Sequence, residues 1–295
     1  MNSDVRKRRA QRERKEAFSS AVFRLIVLIL LPVYAVMMAR VLIKNNTTQT
    51  VEETQEVTVT PVPAEEEAKP VIPPHTLVTA ADLSLTEGDV FTFLQGPKAW
   101  NAKTEWSGSW CEQVLAGQRF SVFGCGHCCM ANIYSTLTPY YCSPVDMFDL
   151  AREVTAYAPN ANYGAIAWDY MKQSLEYTGI VSTLMTKDTT YEEFQQKMAN
   201  GISAIVNVNS ANDNTYWKDV TGHYINIWLY NSTDDTVFLA DSGNPDHNRQ
   251  RIPLKYVYDA MKTADSYQYM LVTGYYPDGN NWQKNGIAVD WTSPW

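Results

Sequence analysis

The sequence lacks the features that identify several common classes of protein. It has no internal repeat, and no stripe of basic residues interleaved with aromatic residues that could bind nucleic acid. Beyond residue 44 the chain carries 14 Lys or Arg against 29 Asp or Glu. A body this acidic repels phosphate backbones, which argues against nucleic acid as a partner.

Clustered metal ligands are also scarce. The chain has only five cysteines, and three of them lie with His127 inside residues 125–129. The other two, Cys111 and Cys142, stand alone, whereas a structural zinc site pairs two ligand clusters from separate segments. The sequence therefore predicts neither a metal site nor another cofactor.

One long apolar stretch is present near the N-terminus, at residues 17–43. Its roughly 27 residues exceed the roughly 20 that a helix needs to cross a bilayer. Arg24 lies near one end, where its side chain can reach the headgroups, and Pro32 can kink the helix without preventing insertion. We therefore predict a transmembrane anchor at residues 17–43.

The flanks of this stretch predict its orientation. Residues 1–16 form a strongly basic tail, which the positive-inside rule keeps in the cytoplasm. The C-terminal body of this single-pass protein is then extracellular. A cleaved secretory signal also has a basic start and an apolar centre, but here the apolar run is long and is followed by Arg40 and Lys44.

Residues 44–76 differ in composition from both neighbours. They are rich in Thr, Glu, Val and Pro and show neither helical nor alternating periodicity. Such composition is typical of an extended linker. Clear elements separated by turn residues follow, and they predict a globular domain at residues 77–295.

Helical patterns occupy the first part of this domain and strand patterns the second. The predicted helices begin near Cys125 and at Pro144, and occupy 168–177, 191–199 and 254–263. The predicted strands are 202–209, 223–230, 236–240 and 269–275. Helices followed by antiparallel strands indicate an α+β fold.

Three side chains have the chemistry of a catalytic centre. Cys125 follows a Gly at the start of a predicted helix, where unpaired N–H groups and the helix dipole stabilise a thiolate. His223 opens one strand of a predicted hairpin and Asp241 ends the other, so the hairpin brings them together. A carboxylate there orients the imidazole and supports its charged form. Taken singly, a packed Cys, a hydrogen-bonded His and a turn Asp are commonly structural.

The order of these residues resembles a known family. Gly-Cys-Gly at residues 124–126 before a helix, Gly-His ending at His223, and Asp241 closing the next strand resemble the bacteriocin-leader-processing (C-thirty-nine-like) peptidases of the papain superfold. The resemblance covers residues 100–276. It implies a papain-like cysteine peptidase fold and a peptide or protein substrate, with Cys125 as nucleophile, His223 as base and Asp241 orienting His223.

The resemblance also implies a Gln ahead of the Cys, which acts with the backbone N–H of Cys125 on the developing oxyanion. Gln118 is the candidate, seven residues before Cys125. Gln113 and Glu105 remain alternatives for that corner. His127 stands where the family usually has Pro.

Two other functions fit part of the pattern. The sequence Cys-Gly-His-Cys at residues 125–128 matches the dithiol of protein disulfide isomerases. A thioredoxin-like fold, however, needs a Pro opening a later strand, and the region near Trp168 has no Pro and a helical pattern. A catalytically inactive papain-fold module that binds peptides is the second alternative. Transport-coupled cleavage fits poorly, because the chain has no G-x-x-x-x-G-K-[ST] loop.

The cysteine count bears on the same question. Outside the cell, five cysteines leave one unpaired after two disulfides, in agreement with a single functional thiol. The sequence does not fix any pairing. Cys128 and Cys129 lie one turn beyond Cys125, and packing in the core is the alternative for them.

The predicted topology can be tested on intact cells that express the chain. Added protease should cut the extended linker and release a fragment whose N-terminus lies within residues 45–75, as read by mass spectrometry. Recovery of the body only after cell lysis would contradict the predicted orientation.

Overall fold

The structure, a computed structural model, describes residues 76–210 and 216–294 of the chain. The predicted cytoplasmic tail and the predicted anchor at residues 17–43 lie outside these residues, as does nearly all of the predicted linker. Within the part of the chain that is described, no helix is long and apolar enough to cross a membrane. The elements below all belong to the domain predicted at residues 77–295.

The helices and strands of the described residues follow in chain order. The helices are α1 (Pro97–Asn101), α2 (Phe120–Phe123), α3 (Cys125–Leu137), α4 (Pro144–Val154), α5 (Trp168–Tyr177), α6 (Tyr191–Asn200) and α7 (Leu254–Ala260). The strands are β1 (Val78–Thr79), β2 (Val114–Leu115), β3 (Gln118–Arg119), β4 (Ile180–Met185), β5 (Ser203–Val208), β6 (His223–Asn231), β7 (Thr236–Ala240), β8 (Arg251–Pro253) and β9 (Tyr269–Tyr275). Helices α3 to α7 and strands β5, β6, β7 and β9 agree with the predicted elements.

Capping residues determine where two of these helices begin. Before α4, the Ser143 side chain accepts a hydrogen bond from the backbone N–H of Asp146, and Pro144 occupies the first turn. Before α6, the Thr190 side chain accepts a hydrogen bond from the backbone N–H of Glu193, and the Glu193 carboxylate accepts one from the backbone N–H of Thr190. These local signals explain why both starts could be predicted from the sequence.

Strands β1 and β4 to β9 form one antiparallel sheet. Its order is β1-β9-β5-β6-β7-β8, and β4 pairs with β9. The prediction of an α+β fold with an antiparallel sheet is confirmed. Strand β4 differs from the prediction, because it lies between α5 and α6 where only helices were expected. Its partner β9 comes much later in the chain, so the pairing has no local signal.

The sheet is covered on both faces, which explains its apolar strands. In β5, Ile205 packs in the cluster formed with helices α3 to α5, whereas Ala204 and Val206 pack in the cluster formed with α6 and α7. Successive side chains of a strand point to opposite faces. All of β5 is therefore buried, and the sequence reads as a nearly continuous apolar run.

Helix α3 crosses the first of these clusters and is tied to the sheet. All its residues from Gly126 to Ser135 are buried, as expected for a helix surrounded by core. The Asn132 side chain donates to Asn226 Oδ1 at 3.0 Å and accepts from the backbone N–H of Phe93 at 2.8 Å. Because α3 begins at Cys125 and β6 begins at His223, this bond fixes the two chain segments that carry the predicted site.

His127 is a buried ring among other rings. Its centroid lies 5.3–6.0 Å from those of Phe120, Phe123, Phe148 and Tyr157. Neither of its nitrogens has a hydrogen-bond partner. Burial lowers the pKa of His127 to about 3, so the folded protein holds the neutral imidazole.

This environment predicts a specific loss of stability in acid. The unfolded chain binds a proton on His127 below its ordinary pKa of about 6.5, whereas the folded chain does not until about pH 3. The contribution of His127 to the free energy of unfolding is therefore complete above the pKa of the unfolded chain. This contribution declines as the pH falls toward 3, by up to about 1.4 kcal/mol per pH unit.

His127→Leu should reduce the slope of the free energy of unfolding against pH between neutrality and mild acid. Urea unfolding followed by tryptophan fluorescence measures it. Other titrating groups are common to both chains, so they cancel in the comparison with the unsubstituted protein. Equal slopes would contradict the neutral, partnerless state of this ring.

Candidate active site

Cys125, His223 and Asp241 line the same cleft, which has a volume of about 720 Å³. Cys125 is the first residue of α3 and His223 is the first residue of β6. Asp241 directly follows β7, and the register of the hairpin pairs Asn226 with Ala240. The fold thus brings three of the four predicted site residues together.

Asp241 is buried and fully hydrogen-bonded. Its Oδ1 lies 2.8 Å from His223 Nε2 and accepts the backbone N–H of Gly243 at 3.0 Å, while Oδ2 accepts the indole N–H of Trp217 at 3.0 Å. Burial alone would raise the pKa of Asp241, but the charge and hydrogen bond of His223 hold that pKa well below its usual range. The side chain is a carboxylate that anchors the imidazole.

His223 and Cys125 stabilise each other's charged forms. Because Nε2 of His223 faces Asp241 at 2.8 Å, Nδ1 is the ring nitrogen left for the sulfur of Cys125. Burial lowers the pKa of His223, but Asp241 and then Cys125 outweigh it and raise the pKa to about 10. Burial also raises the pKa of Cys125, but His223 and backbone groups of Tyr224 and Gly126 bring that pKa below its ordinary value. The arrangement favours the thiolate of Cys125 and the imidazolium of His223.

Residues on two sides of His223 constrain its backbone and its ring. Asn207 of β5 accepts the backbone N–H of His223 at 3.2 Å and donates to Asp265 at 2.7 Å. On the other side, a Cβ at Gly243 would lie 2.9 Å from Cε1 of the imidazole. Glycine at that position lets the loop after Asp241 approach the ring closely.

Gln118 lies elsewhere. It belongs to the β2–β3 hairpin, and its Nε2 donates to the backbone carbonyl of Asn160 at 2.6 Å. It is absent from the walls on both sides of Cys125, as are the alternatives Gln113 and Glu105. A position seven residues before Cys125 therefore does not bring a side chain into the cleft, because the β2–β3 hairpin directs Gln118 toward Asn160.

A different glutamine, Gln95, lines the cleft with Cys125 and is 8% exposed. Its Oε1 accepts from Ser242 Oγ at 2.8 Å, and its Nε2 donates to the Ser121 carbonyl at 3.0 Å. An amide nitrogen carries two hydrogens, so one remains for the cleft. The only sequence signal of Gln95 is that it follows a mostly apolar run. Because 30 residues separate Gln95 from Cys125, the sequence does not indicate that the two residues line one cleft.

Two further side chains around Asp241 have no sequence signal. Trp217 is 2% exposed and donates to the carboxylate. His247 Nδ1 lies 3.5 Å from Asp241 Oδ2, and its ring stacks on Tyr216 with centroids 4.2 Å apart. Together they keep water from the carboxylate, which strengthens its attraction for His223.

The remaining cysteines are thiols of the core. All five cysteines are free, so the two disulfides that the cysteine count allowed are not formed. Cys128 and Cys129 are 0% and 1% exposed, which confirms the packing alternative, and burial raises their pKa well above the ordinary value. The purely antiparallel sheet, with helix α5 at Trp168, does not fit a thioredoxin-like fold. Among the described residues, no group of three or more His, Cys, Asp or Glu could hold a metal.

A second cleft lies on the other side of Cys125. It also has a volume of about 720 Å³ and shares Val122, Cys125 and Gly222 with the first. Its lining is partly apolar and partly charged: Ile166, Trp168, Tyr224, Asp169, Lys262 and Asp265. Cys125 thus stands where two clefts meet.

Comparison with known proteins gives one result. Residues 109–278 match the family described as Peptidase_C39 like, a range that contains Cys125, His223 and Asp241 but begins after Gln95. A search of curated proteins finds no match.

Proposed function

The chain belongs to the peptidase C39-like family, and from this premise we propose that it is a membrane-anchored, extracytoplasmic cysteine peptidase. It hydrolyses peptide bonds with Cys125 as nucleophile, His223 as proton carrier and Asp241 as the residue that orients His223. One observation carries the proposal. Cys125 at the start of α3 lines the same cleft as His223, whose Nε2 lies 2.8 Å from Asp241 Oδ1.

The ion pair divides the reaction into two steps. In the first, the Cys125 thiolate attacks the peptide carbonyl, and the imidazolium of His223 gives its proton from Nδ1 to the departing amine. A thioester to Cys125 is left, with a neutral imidazole. In the second, that imidazole takes a proton from water, the hydroxide attacks the thioester, and the released acid leaves the ion pair restored.

Two donors are available for the oxyanion that forms in each step. The backbone N–H of Cys125 stands at the start of α3, where helix N–H groups have no partner within the helix. The second is the free hydrogen on Nε2 of Gln95, whose other contacts to Ser121 and Ser242 hold the amide in place. Donors fixed before the reaction stabilise developing charge efficiently.

The shape of the site supports a peptide substrate. An extended chain that crosses Cys125 would place residues in both clefts, and Val122 at their junction is 71% exposed. The rim can therefore contact a substrate backbone on either side of the scissile bond. Anchoring and display outside the cell rest on the basic tail and apolar stretch of the sequence alone.

The proposal predicts an ordered series of activity losses on a fluorescence-quenched peptide library. Cys125→Ala should abolish turnover, and His223→Ala should lower it by about 10²–10⁴-fold, because the proton carrier is lost. Asp241→Asn should cost less, since it removes only the orienting charge. Gln95→Ala should reduce kcat by about 10²–10³-fold.

Gln118→Ala is the matched control, because its side chain contacts Asn160 and not the cleft; it should leave turnover unchanged. Circular dichroism verifies folding of each variant. If peptides bind to the folded protein without being cut, and this binding does not depend on Cys125, the proposed peptidase function is wrong and the chain is an inactive peptide-binding module.

A further inference from the structure

The second half of the Cys-Gly-His-Cys sequence has no part in peptide hydrolysis. Cys128 is a free thiol, fully buried, on the same helix as Cys125. The backbone N–H of Cys128 donates to the Gly124 carbonyl at 2.9 Å, so the first turn of α3 is regular. A reactive thiolate and an inert thiol therefore lie one helical turn apart.

Helix geometry allows these two sulfurs to be joined. Residues at i and i+3 share a face, and the rise and radius of an α-helix place their Cα atoms about 5 Å apart. Disulfides connect Cα atoms separated by about 4.4–6.8 Å. A bond between Cys125 and Cys128 therefore needs little movement of the backbone.

The two thiols differ in access and charge. Cys125 is half-buried at the junction of two clefts, where small oxidants can reach it, and His223 favours its thiolate. Cys128 is sealed in the core, and burial raises its pKa well above the ordinary value. Oxidation therefore begins at Cys125, because thiolate character and exposure determine susceptibility.

Cys129 is the other thiol on the same turn, and its surroundings are less suitable. Burial raises the pKa of both thiols well above the ordinary value. Cys129 also lies near the negative charge of Asp241, which further opposes loss of its proton. The attacking species in disulfide formation is a thiolate, so Cys128 is the better partner for an oxidised Cys125.

We propose that Cys125 and Cys128 form a reversible disulfide that switches the site off in the presence of hydroperoxides. The Cys125 thiolate attacks one oxygen of a hydroperoxide and breaks the O–O bond, which gives a sulfenic acid at Cys125. The other oxygen takes up a proton and leaves as an alcohol or water. The Cys128 sulfur then attacks the Cys125 sulfur and loses its proton. Hydroxide departs with that proton as water, so two thiols are oxidised by two electrons and one hydroperoxide is reduced.

The consequence is protection of the nucleophile. A sulfenic acid without a partner goes on to the sulfinic acid, which thiols do not reduce, whereas a disulfide is restored by an external dithiol. The regulatory meaning of the switch rests on the proposed peptidase function. Formation of the disulfide does not.

The test treats the full chain with hydrogen peroxide and labels thiols in two stages. One haloacetamide blocks the thiols that remain free, a dithiol reduces the sample, and an isotopically heavy haloacetamide marks the cysteines released. Trypsin yields residues 120–152 as one peptide that carries Cys125, Cys128, Cys129 and Cys142. Fragmentation of that peptide locates the heavy label, which is expected on Cys125 and Cys128.

Cys128→Ala and Cys129→Ala are the matched pair of variants. Cys128→Ala should accumulate roughly tenfold more sulfinic acid at Cys125 than the unsubstituted chain, and Cys129→Ala should behave like the unsubstituted chain. Heavy label on Cys129, or equal sulfinic acid in all three proteins, would overturn the proposal. The labelling experiment needs no substrate, so it is independent of the peptidase assay. If the label appears on Cys125 and Cys128 but the protein cleaves no peptide, only the peptidase function is refuted.

Discussion

The proposed charged pair of Cys125 and His223 is the interaction on which the rest of the site depends. A buried imidazolium is costly unless a carboxylate faces it, and Asp241 supplies one at 2.8 Å. Asp241 is in turn held by Trp217 and Gly243. Each partner compensates for the burial of the next, so loss of any one should weaken the charge on the sulfur.

The frame that holds this pair consists of contacts distant from the sulfur. Asn132 on α3 and Asn226 on β6 form a buried bond at 3.0 Å, and β5 holds the backbone of His223 through Asn207. Asn132 and Asn226 are both buried, and loss of their bond would leave a further amide group unpaired, which would destabilise the fold. The same bonds that stabilise the core therefore hold Cys125 and the imidazole of His223 near each other.

The sequence predicts whatever is encoded locally. Cys125 at a helix start, and His223 and Asp241 at corresponding ends of one hairpin, follow from short patterns, as do the caps Ser143 and Thr190. Gln95 could not be found, because its place in the cleft depends on tertiary contacts to Ser121 and Ser242. Strand β4 was missed for the same reason, since its position depends on pairing with β9.

The pH dependence of alkylation at Cys125 measures the charged pair most directly. In the full chain, reaction with a haloacetamide should stay fast at mildly acidic pH, because His223 lowers the pKa of the sulfur and keeps more of it ionised there. In His223→Ala the acid-side reactivity should vanish and the profile should move toward the free-thiol pKa of about 8.5. Identical profiles in the two proteins, both with a midpoint near 8.5, would contradict the thiolate–imidazolium pair.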